Sequence, residues 1–238
     1  MSGSMVVVSA HAVDYVWRAG GTIAKYARNG WDVNVIVLSM GVRGESAPLW
    51  KEPGQTYERV GEVRKDESVA AAKILGCTLH FFELQDYRLN ITNDVLDGMI
   101  SLIRKFRPSV ILTHGEGDPF NPDHPIAHQA TIDARLLADA AGVMPDHPTA
   151  PPSRLFAFEP HQTEISGFEP DLLVDITDDM ETKVSAMNCI KTQEYLIDFQ
   201  SRVAEARGYH ARRNSSNKNI KYAEAFQSYI PIVVDELP

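Results

Sequence analysis

Two short stretches hold most of the side chains that could bind a metal ion. The first, Ser9-Ala10-His11-Ala12-Val13-Asp14, offers an imidazole and a carboxylate on one tight turn. The second, Asp118-Pro119-Phe120-Asn121-Pro122-Asp123-His124 with His128 one helical turn on, adds carboxylates, an amide and two more imidazoles. His11, Asp14 and His124 match in type and number the three protein ligands of an open catalytic zinc site, which keeps one position for water or substrate. Histidines and aspartates are also ordinary turn and cap residues, so no one of them alone carries the inference.

Other polar residues add candidates. Gly41-Val42-Arg43-Gly44-Glu45-Ser46 can hold Glu45 as a general base or acid and Arg43 as a planar clamp for a carboxylate. In Phe158-Glu159-Pro160-His161-Gln162 the proline fixes the direction of His161, which suits proton transfer. Asp86 is a weaker candidate, His114 fits a role orienting a ligand, and His80, His147 and His210 read as surface residues. A dinucleotide site would need Gly-x-Gly-x-x-Gly where His11-Ala12-Val13-Asp14 stands, and Gly20-Gly21 comes too late for it. Gly-x-Ser-x-Gly is absent around Ser46, so serine hydrolysis has no support.

The elements that must position these residues alternate between β-branched runs and helical patterns, the order of βαβ units around a parallel sheet. Strands are expected at 5–9, 33–39, 78–84, 109–113, 155–158 and 172–176. Helices are expected at 21–29, 58–75, from Asn93 as N-cap to 106, at 124–141, and as one long helix from 179 to about 207, with a mixed tail from Gly208. This order implies a Rossmann-like α/β fold: an open, mainly parallel sheet flanked by helices, with a small C-terminal α+β extension over 153–238. In such sheets ligands bind beyond the carboxyl ends of the strands where the strand order reverses. With strand one central and strand four beside it, the two metal-rich stretches flank that point.

The 238 residues fit one α/β domain over 5–238, with Met1-Ser2-Gly3-Ser4 reading as a cloning remnant. Apolar residues make up 44% and charged residues 23%, which excludes wholesale disorder. Lys and Arg total 23 against 32 Asp and Glu, a net charge of −9 that disfavours nucleic acid or an anionic membrane as partner. No segment nears the roughly 18 apolar residues of a membrane helix. Only Cys77 and Cys189 are present, which excludes a disulfide framework and fits a reducing cytoplasm.

Four segments resemble the PIG-L/LmbE-like zinc-dependent deacetylases: Ala10-His11-Ala12-Val13-Asp14, Gly20-Gly21-Thr22-Ile23-Ala24, Arg64 to Glu67 leading to Leu75-Gly76, and Asn121-Pro122-Asp123-His124. The resemblance covers about the first 160 residues well. It implies zinc held by His11, Asp14 and His124, and a homo-oligomer. Two positions depart from the family pattern. Val13 stands where the family carries the aspartate that activates water for amide hydrolysis, and Asn121 where it carries a histidine that assists the transition state. Such groups contribute ~10²–10⁴-fold each, so their loss predicts an intact metal site with changed chemistry.

A hydratase branch of the family is more similar still. It is marked by Val16-Trp17-Arg18-Ala19-Gly20-Gly21, Arg43-Gly44-Glu45-Ser46 with Leu49-Trp50, Phe156-Ala157-Phe158-Glu159-Pro160-His161-Gln162, Gln193-Glu194 and Tyr222-Ala223-Glu224. That resemblance implies a zinc-dependent hydro-lyase that hydrates 4-oxalomesaconate in gallate catabolism, with Glu45 and His161 catalytic. Arg18 and Arg43, and behind them Lys51, Arg212 and Arg213, are the cations available to a tricarboxylate. The alternatives are an N-deacetylase acting on an N-acyl sugar and a non-catalytic, metal-stabilised protein that binds an acidic metabolite.

Overall fold

The computed structural model describes residues 3–234. Its strands are β1 (Ser4–Ser9), β2 (Asp32–Ser39), β3 (Thr78–Leu84), β4 (Val110–Thr113), β5 (Arg154–Phe158), β6 (Leu172–Asp175) and β7 (Ala223–Ser228). Its helices are α1 (Asp14–Arg28), α2 (Ala47–Trp50), α3 (Tyr57–Leu75), α4 (Asn93–Phe106), α5 (Asp123–Asp139), α6 (Met180–Met187) and α7 (Leu196–Asn214). One sheet runs in the order β3-β2-β1-β4-β5-β7-β6. Its first five strands are parallel, while β7 pairs antiparallel with both β5 and β6.

The apolar runs Val6-Val7-Val8 and Val35-Ile36-Val37-Leu38 are wholly buried because helices cover both faces of the sheet. α1 and α6 pack on one face, and α4 and α5 supply the core of the other. Helix ends follow local chemistry. Thr56 caps α3 through Arg59 N–H, and Gly76 closes it at φ +76°. Thr92, not Asn93, caps α4, because its hydroxyl accepts from Val95 N–H.

Strand order reverses between β1 and β4 as the sequence predicts, and four details differ. Helix α1 begins at Asp14 rather than Gly21, so Gly20-Gly21 lies inside it. A Cβ on Gly21 would lie 2.5 Å from Ile176 Cδ1, so the absence of a side chain there lets α1 pack closely against Ile176, just after β6. The Glu224 carboxylate accepts from Gly21 and Thr22 N–H at 2.9 and 2.7 Å and pairs with buried Lys183 at 2.7 Å, fastening α1 to β7. The long helix expected from 179 is two helices, because residues 188–195 turn inward and bury Thr192 and Gln193. The tail supplies β7 in the sheet interior. Ser4, grouped above with the remnant, pairs with Asp32 at the start of β1, whereas Met1 and Ser2 lie outside the described residues. Among the described residues no helix is long and apolar enough to cross a membrane.

Candidate metal centre and active site

The turn after β1 is set by Ser9, whose hydroxyl donates to His11 C=O at 2.6 Å and accepts from Tyr15 N–H. Asp14 then folds back to accept the His11 backbone N–H at 2.9 Å. After β4, Asp118 accepts from Phe120 N–H and Asn121 from Asp123 N–H, two side-chain turns that deliver His124 to the first turn of α5. One ligand atom each from His11, Asp14, Glu45 and His124 falls within a 4.8 Å cluster. Three of these residues are buried and Glu45 is slightly exposed.

The two histidines are held by carboxylates behind them. Asp123 faces His11 Nε2 at 3.1 Å while also accepting from Tyr87 and Leu89 N–H, which leaves His11 Nδ1 turned toward Asp14 at 3.0 Å and Glu45 at 3.2 Å. Asp118 faces His124 Nδ1 at 2.7 Å, so Nε2 points into the cluster. Carboxylates placed behind histidines in this way fix tautomer and ring direction at metal sites. His114 accepts Ala10 N–H at Nε2 and stacks on His124 with ring centroids 4.0 Å apart.

The residues present fit a metal ion. Asp14 Oδ1 and His124 Nε2 are buried without any hydrogen-bond partner, a state that is rare for polar atoms unless a ligand completes them. The charge balance agrees. Burial opposes charge on His11, yet Glu45 and Asp14 hold its pKa well above the ordinary value. Asp14 lies well below its ordinary value because His11, His124 and His114 outweigh its burial. The cluster is therefore a nest of carboxylates that favours a cation.

Glu45 lies between this nest and an open cleft of about 250 Å³ lined by Arg18, Glu45, Tyr87, Asn121, His124 and His161 among others. Asn121 Nδ2 approaches Glu45 Oε1, and Arg64 Nη2 approaches Oε2, each at 3.5 Å. Burial and Asp14 push the Glu45 carboxyl up, but His11 and Arg64 pull it down further, so it stays ionised. Arg18 is buried and lines the cleft; Nη1 donates to Glu159 C=O, while Nε and Nη2 have no hydrogen-bond acceptor. His161, three residues beyond β5, lines the same cleft.

Not every expected residue converges there. Arg43 donates to Asp86 C=O and Gln85 and lies over the Tyr57 ring, so its guanidinium closes a loop instead of lining the cleft. Asp86 is equally structural, accepting Arg43 and Gly44 N–H and so clamping the loop that carries Glu45. Ser46 donates to Gly41 C=O. His128 donates from Nδ1 to His114 C=O behind the site. Lys51 is exposed beside α2, and Arg212 and Arg213 stack on Tyr209 late in α7.

Several residues of the site carried no sign of their contacts in the sequence, Arg64 and Gln193 being legible only as parts of family segments. Arg64, fully buried, donates to Glu67, Thr192, Gln193 and Met40 C=O as well as meeting Glu45. Gln193 also accepts from Trp17 Nε1. Tyr87, at φ +59°, lays its ring over Gly44, where a Cβ would sit 2.1 Å from Tyr87 Cζ. Gln200 reaches His161 from α7. Asp118 and Asp123 stood in the motif, and their placement behind the ligands was readable only as a pattern of spacing.

An open α/β sheet that brings a His-Asp-His donor set together across the β1/β4 crevice defines a class of metal-site proteins with a cleft above the strand ends. The chain belongs to the PIG-L family, whose model, described as GlcNAc-PI de-N-acetylase, matches residues 6–135. It is 41% identical over 237 residues to the 4-oxalmesaconate hydratase of Pseudomonas putida, covering 98% of this chain and 92% of that protein. The crystal structure of GalB, the 4-carboxy-2-hydroxymuconate hydratase of the same species, matches with a TM-score of 0.96 at 41% identity over all of both chains. The N,N'-diacetylchitobiose deacetylase of Pyrococcus horikoshii shares the fold, with a TM-score of 0.79 at 20% identity over 95% of this chain and 84% of that one.

Proposed function

We propose that this protein is a zinc-dependent hydratase that adds water across the carbon–carbon double bond of 4-oxalomesaconate to give 4-carboxy-4-hydroxy-2-oxoadipate. The observation that carries the reading is the composition of the site. His11, Asp14 and His124 bring together the donors a zinc ion would take, Val13 stands by the family resemblance where the amide-hydrolysis base is expected, and Glu45 with His161 borders the same cleft. Similarity at 41% identity over nearly the whole chain to a hydratase supports the same conclusion.

Zinc held by His11, Asp14 and His124 would supply Lewis acidity toward the substrate's oxygens. Zinc suits the set because imidazole and carboxylate ligands with an open position are its catalytic pattern. The remaining work falls to the chain. Glu45 is an ionised carboxylate fixed by Asn121 and Arg64, placed to take a proton from water as the water oxygen bonds to one alkene carbon. The other alkene carbon gains a proton, so the sum is one H and one OH added. His161, which lines the same cleft, attends this exchange. Arg18, with two buried nitrogens lacking acceptors, holds a substrate carboxylate, an arrangement that relieves an unsatisfied buried donor on binding.

The ultraviolet absorbance of the conjugated substrate provides the test. The zinc-loaded protein is expected to remove that absorbance and to release no acetate from an N-acetyl sugar. Acetate release with unchanged absorbance would instead assign the site to amide hydrolysis.

A further inference from the structure

We propose that Gln200 is a positioning residue that holds His161 as its Nε2–H tautomer and so presents an N–H to the cleft, a role that for catalysis rests on the hydratase reading above. Gln200 is buried in the second turn of α7, and its amide Nε2 lies 2.8 Å from His161 Nδ1. An amide N–H donates, so the imidazole nitrogen opposite it must offer a lone pair. A neutral imidazole carries a single N–H, which then sits on Nε2.

The surroundings keep the ring neutral. Burial comes first and the Arg18 guanidinium second, with His124 acting the same way; Asp14 and Glu45 oppose them, and the pKa falls to about 3. The Phe199 ring, 6.1 Å from the imidazole, supplies an apolar neighbour from α7. His161 Nδ1 is thus engaged by α7, while the ring lines the cleft shared with Glu45 and Arg18.

A neutral N–H donor suits one task in hydration. As water's oxygen bonds to one alkene carbon and its proton passes to Glu45, the π pair moves onto the conjugated carbonyl oxygen. His161 donates a hydrogen bond to that oxygen and keeps its proton. Glu45 then returns its proton to the other alkene carbon as the carbonyl re-forms.

Nitrogen-15 NMR of the zinc-loaded enzyme with labelled histidine reads the tautomer directly, with His161→Gln assigning the resonances. The expected result is a pyrrole-type Nε2 and a pyridine-type Nδ1. Gln200→Glu, an acceptor in place of a donor, should reverse that pattern and lower kcat about 10²-fold with KM little changed, the cost of losing one oxyanion donor. Gln200→Met, which can neither donate nor accept through nitrogen or a carboxylate, should give averaged shifts and a smaller loss. A pyrrole-type Nδ1 in the native enzyme, or native shifts in both variants, would overturn the proposal. The expected native pattern in an enzyme that does not hydrate the substrate would sink the hydratase reading and leave the tautomer assignment standing.

Discussion

The floor of the cleft and its walls are built in different ways. The floor comes from two short loops after adjacent parallel strands, 9–14 and 114–124, and each loop sets its own geometry through side-chain turns at Ser9, Asp118 and Asn121. The walls draw Glu45 from the loop after β2, His161 from the loop after β5, and Gln193 from the segment before α7, with Gln200 of α7 behind His161. Arg64 ties these pieces together from α3. A floor made of local turns can stay unchanged while walls gathered from distant elements are replaced. Under the proposed reading, the floor keeps its metal donors while Val13 and Asn121 within it, and Glu45 and His161 from the walls, set the reaction.

Perturbing the floor should have the largest effect. His11→Ala or Asp14→Ala is expected to lose both bound metal and activity, measured by metal analysis of the purified protein alongside the rate. Glu45→Gln should instead keep the metal and lower kcat by ~10²–10⁴, the range for a general acid–base group. Loss of metal in that variant would move Glu45 from the wall to the floor. Arg64→Met is expected to destabilise the fold by about 3–5 kcal/mol in denaturant titration, because it strands Glu67 and Glu45 in buried positions. Asp118→Asn, which touches the metal only through His124, should weaken metal binding ~10–100-fold in a chelator competition. Gly44→Ala is the mildest change. The new Cβ displaces the Tyr87 ring at the mouth of the cleft, so KM should rise more than kcat falls.

The same contrast explains what the amino-acid order could convey. The convergence of His11, Asp14 and His124 was legible because each half is a compact motif at a strand end, and the rule that α/β sheets bind ligands at the reversal of strand order brought the halves together. The placement of Glu45 and His161 at the cleft was legible for the same reason, each lying a few residues beyond a strand. Arg43 misled because a guanidinium beside a glycine gives no sign of whether Asp86 and Gln85 across the loop already hold it. Gln200 was invisible because its role arises from a tertiary contact with His161, and Arg64, although part of a family segment, gave no sign that it would reach Glu45, because a lone Gln or Arg on a helix has no pattern of its own. The break between α6 and α7 was missed for a related reason. Helical periodicity continues through 188–195, while Thr192 and Gln193 satisfy Glu67 and Arg64 instead of a helix ladder.

The central claim is that a metal held by His11, Asp14 and His124 serves a hydration carried out by the walls above it. The most direct measurement is the rate of 4-oxalomesaconate hydration by one preparation as purified, after dialysis against a chelator, and after zinc is restored. The account predicts activity that disappears with the metal and returns with about one zinc per chain. Hydration that continues undiminished in metal-free protein would contradict it.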